Sequence, residues 1–204
     1  MATGHTDPQR RARIIAATLD LIADDGVAGV SHRRIATRAG VPLGSMTYHF
    51  GGIDDLLREA FRHFTDHIVA LFDTHLAPPA DRDQARAAVA DLIHTLSEKS
   101  RRDLVLTQEL YTLAARRPAY RELTQEWMAR SRTHLERHFD PATARQLDAL
   151  IEGLTLHRAL SPAPHDRALT LEAVTRVTTT GRRDGQEVTR LSATPVRRGG
   201  LDRG

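Results

Sequence analysis

Apolar residues recur every three to four positions along most of this 204-residue chain, and no stretch shows convincing strand alternation. The pattern predicts helices throughout. Over residues 10–25 the apolar stripe runs through Ile15, Leu19 and Ile22, flanked by Ile14, Thr18 and Leu21, and it stops at Gly26. Asp7 and Pro8 offer a cap and a first helical position ahead of it. Val27 and Val30, in the short loop that follows, are expected to plug the core. A long helix over 53–76 carries Ile53, Leu57, Phe61, Phe64, Ile68 and Leu71 on one side and ends before Pro78-Pro79. Further helices are predicted over 81–100, 102–117, 118–139 and 141–160, the last two opened by Pro118 and by the pair Asp140-Pro141. A final helix runs through Leu169, Val174 and Val177.

Residues 31–50, SHRRIATRAGVPLGSMTYHF, break this run into two short helices around a glycine turn. The Ser31 hydroxyl can cap the first, in which Ile35, Ala36 and Ala39 form the inner side beneath Arg33, Arg34 and Arg38. Gly40 accepts a left-handed backbone, and Pro42 suits the first turn of a second helix starting near Pro42 or Leu43. There Met46 and Phe50 are the inward anchors, while Leu43, Gly44, Ser45, Thr47, Tyr48 and His49 supply small, hydroxyl-bearing and aromatic groups. Such a helix can lie in a DNA major groove, donating to phosphate oxygens and approaching base edges. The same spacing serves equally well as a helical hairpin in an ordinary all-α core.

Composition narrows the classes without choosing among them. A hydrophobic content of 40% supports a buried core, and there is no cysteine for disulfides, thiolate chemistry or metal. The N-terminus has no signal-peptide pattern, and no apolar run approaches a membrane span, so a soluble cytoplasmic protein is expected. The formal charge of +3 is poor support for nucleic-acid binding, because six arginines against three acids in 181–204 account for it. That tail, rich in Gly and Arg and without periodicity, is expected to be disordered. His63 with His67, and His134 with His138, are i, i+4 pairs, but neither encloses the glutamate of an HExxH zinc motif, so no metal or other cofactor is expected. No GxSxG elbow, GxGxxG turn or phosphate-cradling loop marks an enzyme.

Ile35-Ala36, Ala39-Gly40-Val41, Gly44, Tyr48-His49-Phe50 and the helix start Asp54-Asp55-Leu56-Leu57 together resemble the reading head of the TetR family of transcriptional regulators. The stretches LTQELYTLAARRP and FDPATARQLDALIEGLTLHRAL also look like the effector domain of one of its subgroups. The resemblance implies an all-α protein of about nine helices: a helix-turn-helix DNA-binding domain over 1–52, a helical ligand-binding and dimerisation domain over 53–180, and the tail 181–204. It implies a homodimer that binds a palindromic double-stranded DNA operator, expected to act as a repressor, and a small-molecule effector that shifts the long helix to release it. Thr47 stands where many members have tyrosine, and Ile53 where many have a basic residue.

The DNA contacts expected on this basis are Ser31, His32, Arg33, Arg34, Pro42, Leu43, Gly44, Ser45, Thr47, Tyr48 and His49, with Arg10, Arg11 and Arg13 in support. Leu106, Glu109, Leu110, Leu113, Trp127 and His134 are the expected effector pocket, and Leu147, Leu150, Ile151, Leu154, Val174 and Val177 the expected dimer interface. Ordinary core packing is the competing role for every apolar residue in both sets. A helical binding or scaffold protein, its hairpin purely structural, is the competing function.

Overall fold

The computed structural model describes residues 9–99 and 101–179; Asp7, Pro8 and the basic tail lie outside them. Among the described residues there are nine α-helices and no strand. Helices α1 (Arg10–Asp25), α2 (His32–Ala39) and α3 (Gly44–His49) form an N-terminal head. The 24-residue α4 (Ile53–Leu76) leads from it to α5 (Arg82–Lys99), α6 (Arg101–Arg116), α7 (Pro118–Leu135), α8 (Pro141–Leu160) and α9 (Arg167–Thr179).

Local chemistry sets the joints. Ser31 Oγ accepts the Arg34 N–H at 3.4 Å, opening α2. At its other end Gly40 takes a left-handed φ of 63°, so its N–H bonds Thr37 O and the Val41 N–H bonds Ala36 O. A Cβ at Gly40 would meet nothing within 4 Å, so Gly40→Ala carries only the backbone penalty. Urea unfolding should show that variant less stable by about 1 kcal/mol. Asp140 caps α8 by accepting the Ala142 and Thr143 N–H groups and the Thr143 hydroxyl, which hold its carboxyl below the usual carboxylate range.

Helix α7 ends one turn earlier than the apolar period predicts. The chain leaves the helix after Leu135 in a tight turn that still buries Phe139 and brings His138 Nε2 to 2.7 Å from Leu76 O. The helices share one continuous apolar core, running from Ile14 and Leu56 in the head to Leu147 and Val174 in the bundle. Helix α4 packs on α1, α5 and α7, while α5 packs on α8 and α9. Helix α6 lies on α7 and meets α1 as extensively as α2 does.

Candidate DNA-reading head and ligand cavity

Met46 and Phe50 are buried as their spacing requires, which turns the opposite side of α3 outward. Leu43 and Tyr48 are 54% and 76% exposed, both unusual for residues of their size, and Pro42, Gly44 and Thr47 lie open beside them. This surface combines an apolar group suited to thymine methyls with a phenol able to donate to phosphates, while the Thr47 hydroxyl donates to Gly44 O at 3.2 Å. Tyr48 and His49 stack edge to face at 4.9 Å, so the two rings stiffen one another.

Four of the expected DNA contacts are turned inward or tied within the head, beginning with Ser31, whose hydroxyl caps α2. Ser45 is buried, on the same inner side of α3 as Met46. His32 is half-buried and its Nε2 is shielded from solvent. Arg34 pairs with Asp25 and donates to Gly29 O, acting as a strut between α2 and the end of α1. Arg38 forms a similar tie to Asp24 at 2.9 Å. Arg11 is held by Glu59 at 3.0 Å and lies over the Phe50 ring. Arg33, by contrast, is exposed and its guanidinium has no partner among the described residues. The sequence showed four arginines without the acids that fold back onto three of them.

A cavity of about 780 Å³ opens between α4, α5, α6, α7 and α8. Glu109 and Trp127 line it, as expected. Leu106, Leu110 and Leu113 do not; they are packed in the core on the other side of α6. His134 is also outside the cavity, on the α4–α7 seam with Nδ1 3.3 Å from Asp73, where burial and then Arg137 lower its proton affinity.

The rest of the wall includes Ile68 and Ile151, which the apolar period assigns to other roles, and Tyr111, Asp148 and Glu152, which it does not single out. Tyr111 lies nearly parallel to Trp127, ring centroids 5.8 Å apart and planes at 23°, and Phe64 meets the indole edge-on. Asp148 sits 3.2 Å from Arg132, yet burial pushes its carboxyl up to about 6. Burial also raises the Glu152 carboxyl, against a hydrogen bond from the Tyr111 hydroxyl. Trp127 Nε1 and Thr155 Oγ1 are shielded from solvent without a hydrogen-bond partner, a pattern that suits a ligand with an acceptor atom. The i, i+4 acids Asp148 and Glu152 flanking buried Ile151 were the available sequence signal.

Glu109 has a second role. Its Oε2 accepts the Val27 N–H at 3.1 Å, at the turn between α1 and α2. Gly26, beside it, has φ of 70°, and a Cβ there would lie 3.0 Å from Glu109 Oε1. Arg102, also on α6, bonds Asp20 of α1 at 2.9 Å. One helix thus carries both cavity wall and contacts to the head.

On α8 and α9 the dimer expectation divides. Leu147, Ile151 and Val174 are core residues of a single chain and are not available to a second copy. Leu150, Leu154 and Val177 are half-buried, Leu169 is exposed, and Gly153 leaves open space around it. Periodicity could not separate these two groups, because α8 carries leucines on more than one side.

Among the described residues no three His, Cys, Asp or Glu side chains are grouped to hold a metal ion, and no helix is long and apolar enough to cross a membrane. Residues 14–60 match the family described as bacterial regulatory proteins, tetR family, and residues 80–180 match the tetracyclin repressor-like C-terminal domain. The HTH-type transcriptional regulator BetI 1 of Chromohalobacter salexigens is 31% identical, over 76% of this chain and 81% of that protein. Among solved structures, SCO7518 of Streptomyces coelicolor A3(2) is 79% identical with a TM-score of 0.81, over 84% of this chain and 99% of that one. The multidrug binding protein EbrR, crystallised with imidazole, is 36% identical with a TM-score of 0.72, over 84% and 96% of the two chains. These matches, which cover head and bundle alike, disfavour the scaffold alternative: the chain belongs to the tetR family of bacterial regulatory proteins and is a DNA-binding transcriptional regulator.

Proposed function

We propose that the protein is a cytoplasmic repressor, acting as a homodimer on a palindromic operator and released when a small molecule fills the α4–α8 cavity. The functional units are a head over 1–52 and a ligand-binding and dimerisation domain over 53–180. Two copies pair through the outer side of α8 and α9, with Leu150, Leu154, Leu169 and Val177 at the contact, and present their heads to successive major grooves. Base and phosphate contacts come from Arg33, Pro42, Leu43, Gly44, Thr47, Tyr48 and His49, while Ser31 and Arg34 hold α2 in place.

The observation that carries the ligand response is the double role of Glu109, which lines the cavity and accepts the Val27 N–H. A ligand that favours one position of α6 biases the head through that bond and through Arg102–Asp20, and α4 follows because Ile68 and Phe72 line the same cavity. EbrR supports the assignment, since its solved structures hold imidazole, ethidium, malachite green or proflavin.

Selection of bound fragments from a random DNA library tests the proposal, with enrichment of a palindrome as the expected result. On that site Arg33→Ala and Tyr48→Ala dimers of unchanged fold should bind at least about tenfold more weakly. Equal affinity of parent and variants would remove the head from DNA recognition.

A further inference from the structure

Where α8 turns into α9, a knot of basic side chains serves neither the head nor the cavity. Arg158 of α8, its side chain only 13% exposed, donates to Ser97 Oγ at 3.0 Å and Glu98 Oε1 at 2.8 Å on α5, and to the His165 carbonyl in the α8–α9 loop. His94, also on α5, brings Nε2 to 3.0 Å from Oγ1 of the fully buried Thr170 on α9. Its ring meets His165 edge to face at 6.4 Å, and His165 Nε2 is shielded from solvent without a hydrogen-bond partner. One cluster ties α5, α8, the loop and α9 together.

The charge of this knot depends on its two imidazoles. Facing His94 are Arg158 from α8, His165 from the loop, and Glu98 and Asp91 from its own helix. Asp91 is held by Arg167 of α9 at 3.1 Å, and from α4 it is Asp91 that His75 faces. With both imidazoles neutral, Arg158 balances Glu98 and Arg167 balances Asp91. With both protonated, the same two carboxylates meet four cations. Glu98 stands 3.7 Å from His94 Nδ1, but its side chain is 63% exposed and already holds Arg158, so it offsets little of a further positive charge. Burial and then Arg158 accordingly hold the His94 proton affinity below its ordinary value. An imidazole lowered in this way leaves stability intact above its ordinary value near 6.5 and subtracts from it as pH falls through that value.

Thr170 directly follows Leu169, and Arg158 lies one turn beyond Leu154, so the knot adjoins the proposed dimer contact. We propose that it is a proton-operated latch: neutral His94 and His165 hold α9 and the loop against α5, and their protonation frees α9 and dissociates the homodimer. The step to the dimer rests on the pairing proposed for α8 and α9; the latch itself does not. Acid thereby releases the operator with no ligand in the cavity.

The test uses the full-length protein at pH 7.5 and 5.5. Hydrogen exchange of the α9 amides, followed by mass spectrometry, reads the latch, and sedimentation equilibrium reads the dimer. Comparing the parent with His94→Gln at one pH cancels the intrinsic pH dependence of exchange; the glutamine amide can still donate to Thr170 but takes up no proton. At pH 7.5 the two proteins should match. At pH 5.5 α9 of the parent should exchange at least about fivefold faster than in the variant, and its dimer dissociation constant should be at least about tenfold higher, under a ceiling of about a hundredfold for two sites one pH unit below their ordinary value. His165→Gln should slow the parent's exchange in the same direction, whereas His157→Gln, an exposed histidine beside Arg158, should follow the parent. Equal exchange in parent and His94→Gln at pH 5.5 would overturn the latch. Faster parent exchange with an unchanged dimer constant would overturn its coupling to dimerisation, and a protein monomeric at both pH values would overturn the α8–α9 pairing while leaving the latch in place.

Discussion

Leu154→Arg should yield a folded monomer whose operator affinity is lower by about a hundredfold or more. Leu154 is half-buried on the outer side of α8, and its core neighbours Leu147 and Ile151 are untouched by the change, so the single chain keeps its packing. In the proposed two-fold dimer every substitution occurs twice, and two guanidinium groups would then share an interface built from leucines and valines. Losing the dimer removes the linkage that makes the second head's binding intramolecular, an advantage of about 10²–10⁴. Sedimentation equilibrium and DNA fluorescence anisotropy measure the two effects separately. A variant that stays dimeric at full affinity would place the contact away from α8.

Val27→Pro should produce a protein that binds operator and ligand but no longer connects them. Val27 begins a short 3-10 turn, whose backbone angles proline accepts, and its N–H is the group that Glu109 receives. The cavity itself loses no atom. In the parent, saturating proflavin, one of the ligands held by EbrR, should weaken operator binding by about fivefold or more, the lower end of ordinary allosteric coupling. In Val27→Pro the same probe should still quench Trp127 while operator affinity stays nearly constant. Gly26→Ala should act in the same direction, because it strains a positive φ and crowds Glu109 Oε1. Full release in both variants would assign the coupling to α4 and to Arg102–Asp20 instead.

Much of the head was legible because its joints depend on single residues. Ser31 and Gly40 each carry a backbone preference strong enough to place a helix end, whereas Pro42 lies outside α3, which begins at Gly44 rather than near Pro42 or Leu43; Met46 and Phe50 are buried all the same. Asp140-Pro141 located the start of α8 for the same reason. The end of α7 was not legible, since Phe139 continues the apolar spacing of Leu135 although the backbone has already turned. The cavity was only partly legible. A buried leucine and a leucine facing an empty volume have the same spacing, so Leu106, Leu110 and Leu113 could not be told from lining residues. The ties of Arg34 to Asp25 and Arg38 to Asp24 join separate helices and have no local signature.

The bond between Glu109 and Val27 bears on how regulators of this kind could be recombined. A splice at Gly52, where the head ends along the chain, would preserve every helix, yet it would pair a foreign α1–α2 turn with the native α6 surface. On the proposed mechanism the unit that senses and reports is discontinuous in sequence, with Asp20, Gly26 and Val27 belonging with Arg102 and Glu109. A hybrid that carries these five residues as a set should inherit inducibility; one that follows the linear boundary should inherit only the operator.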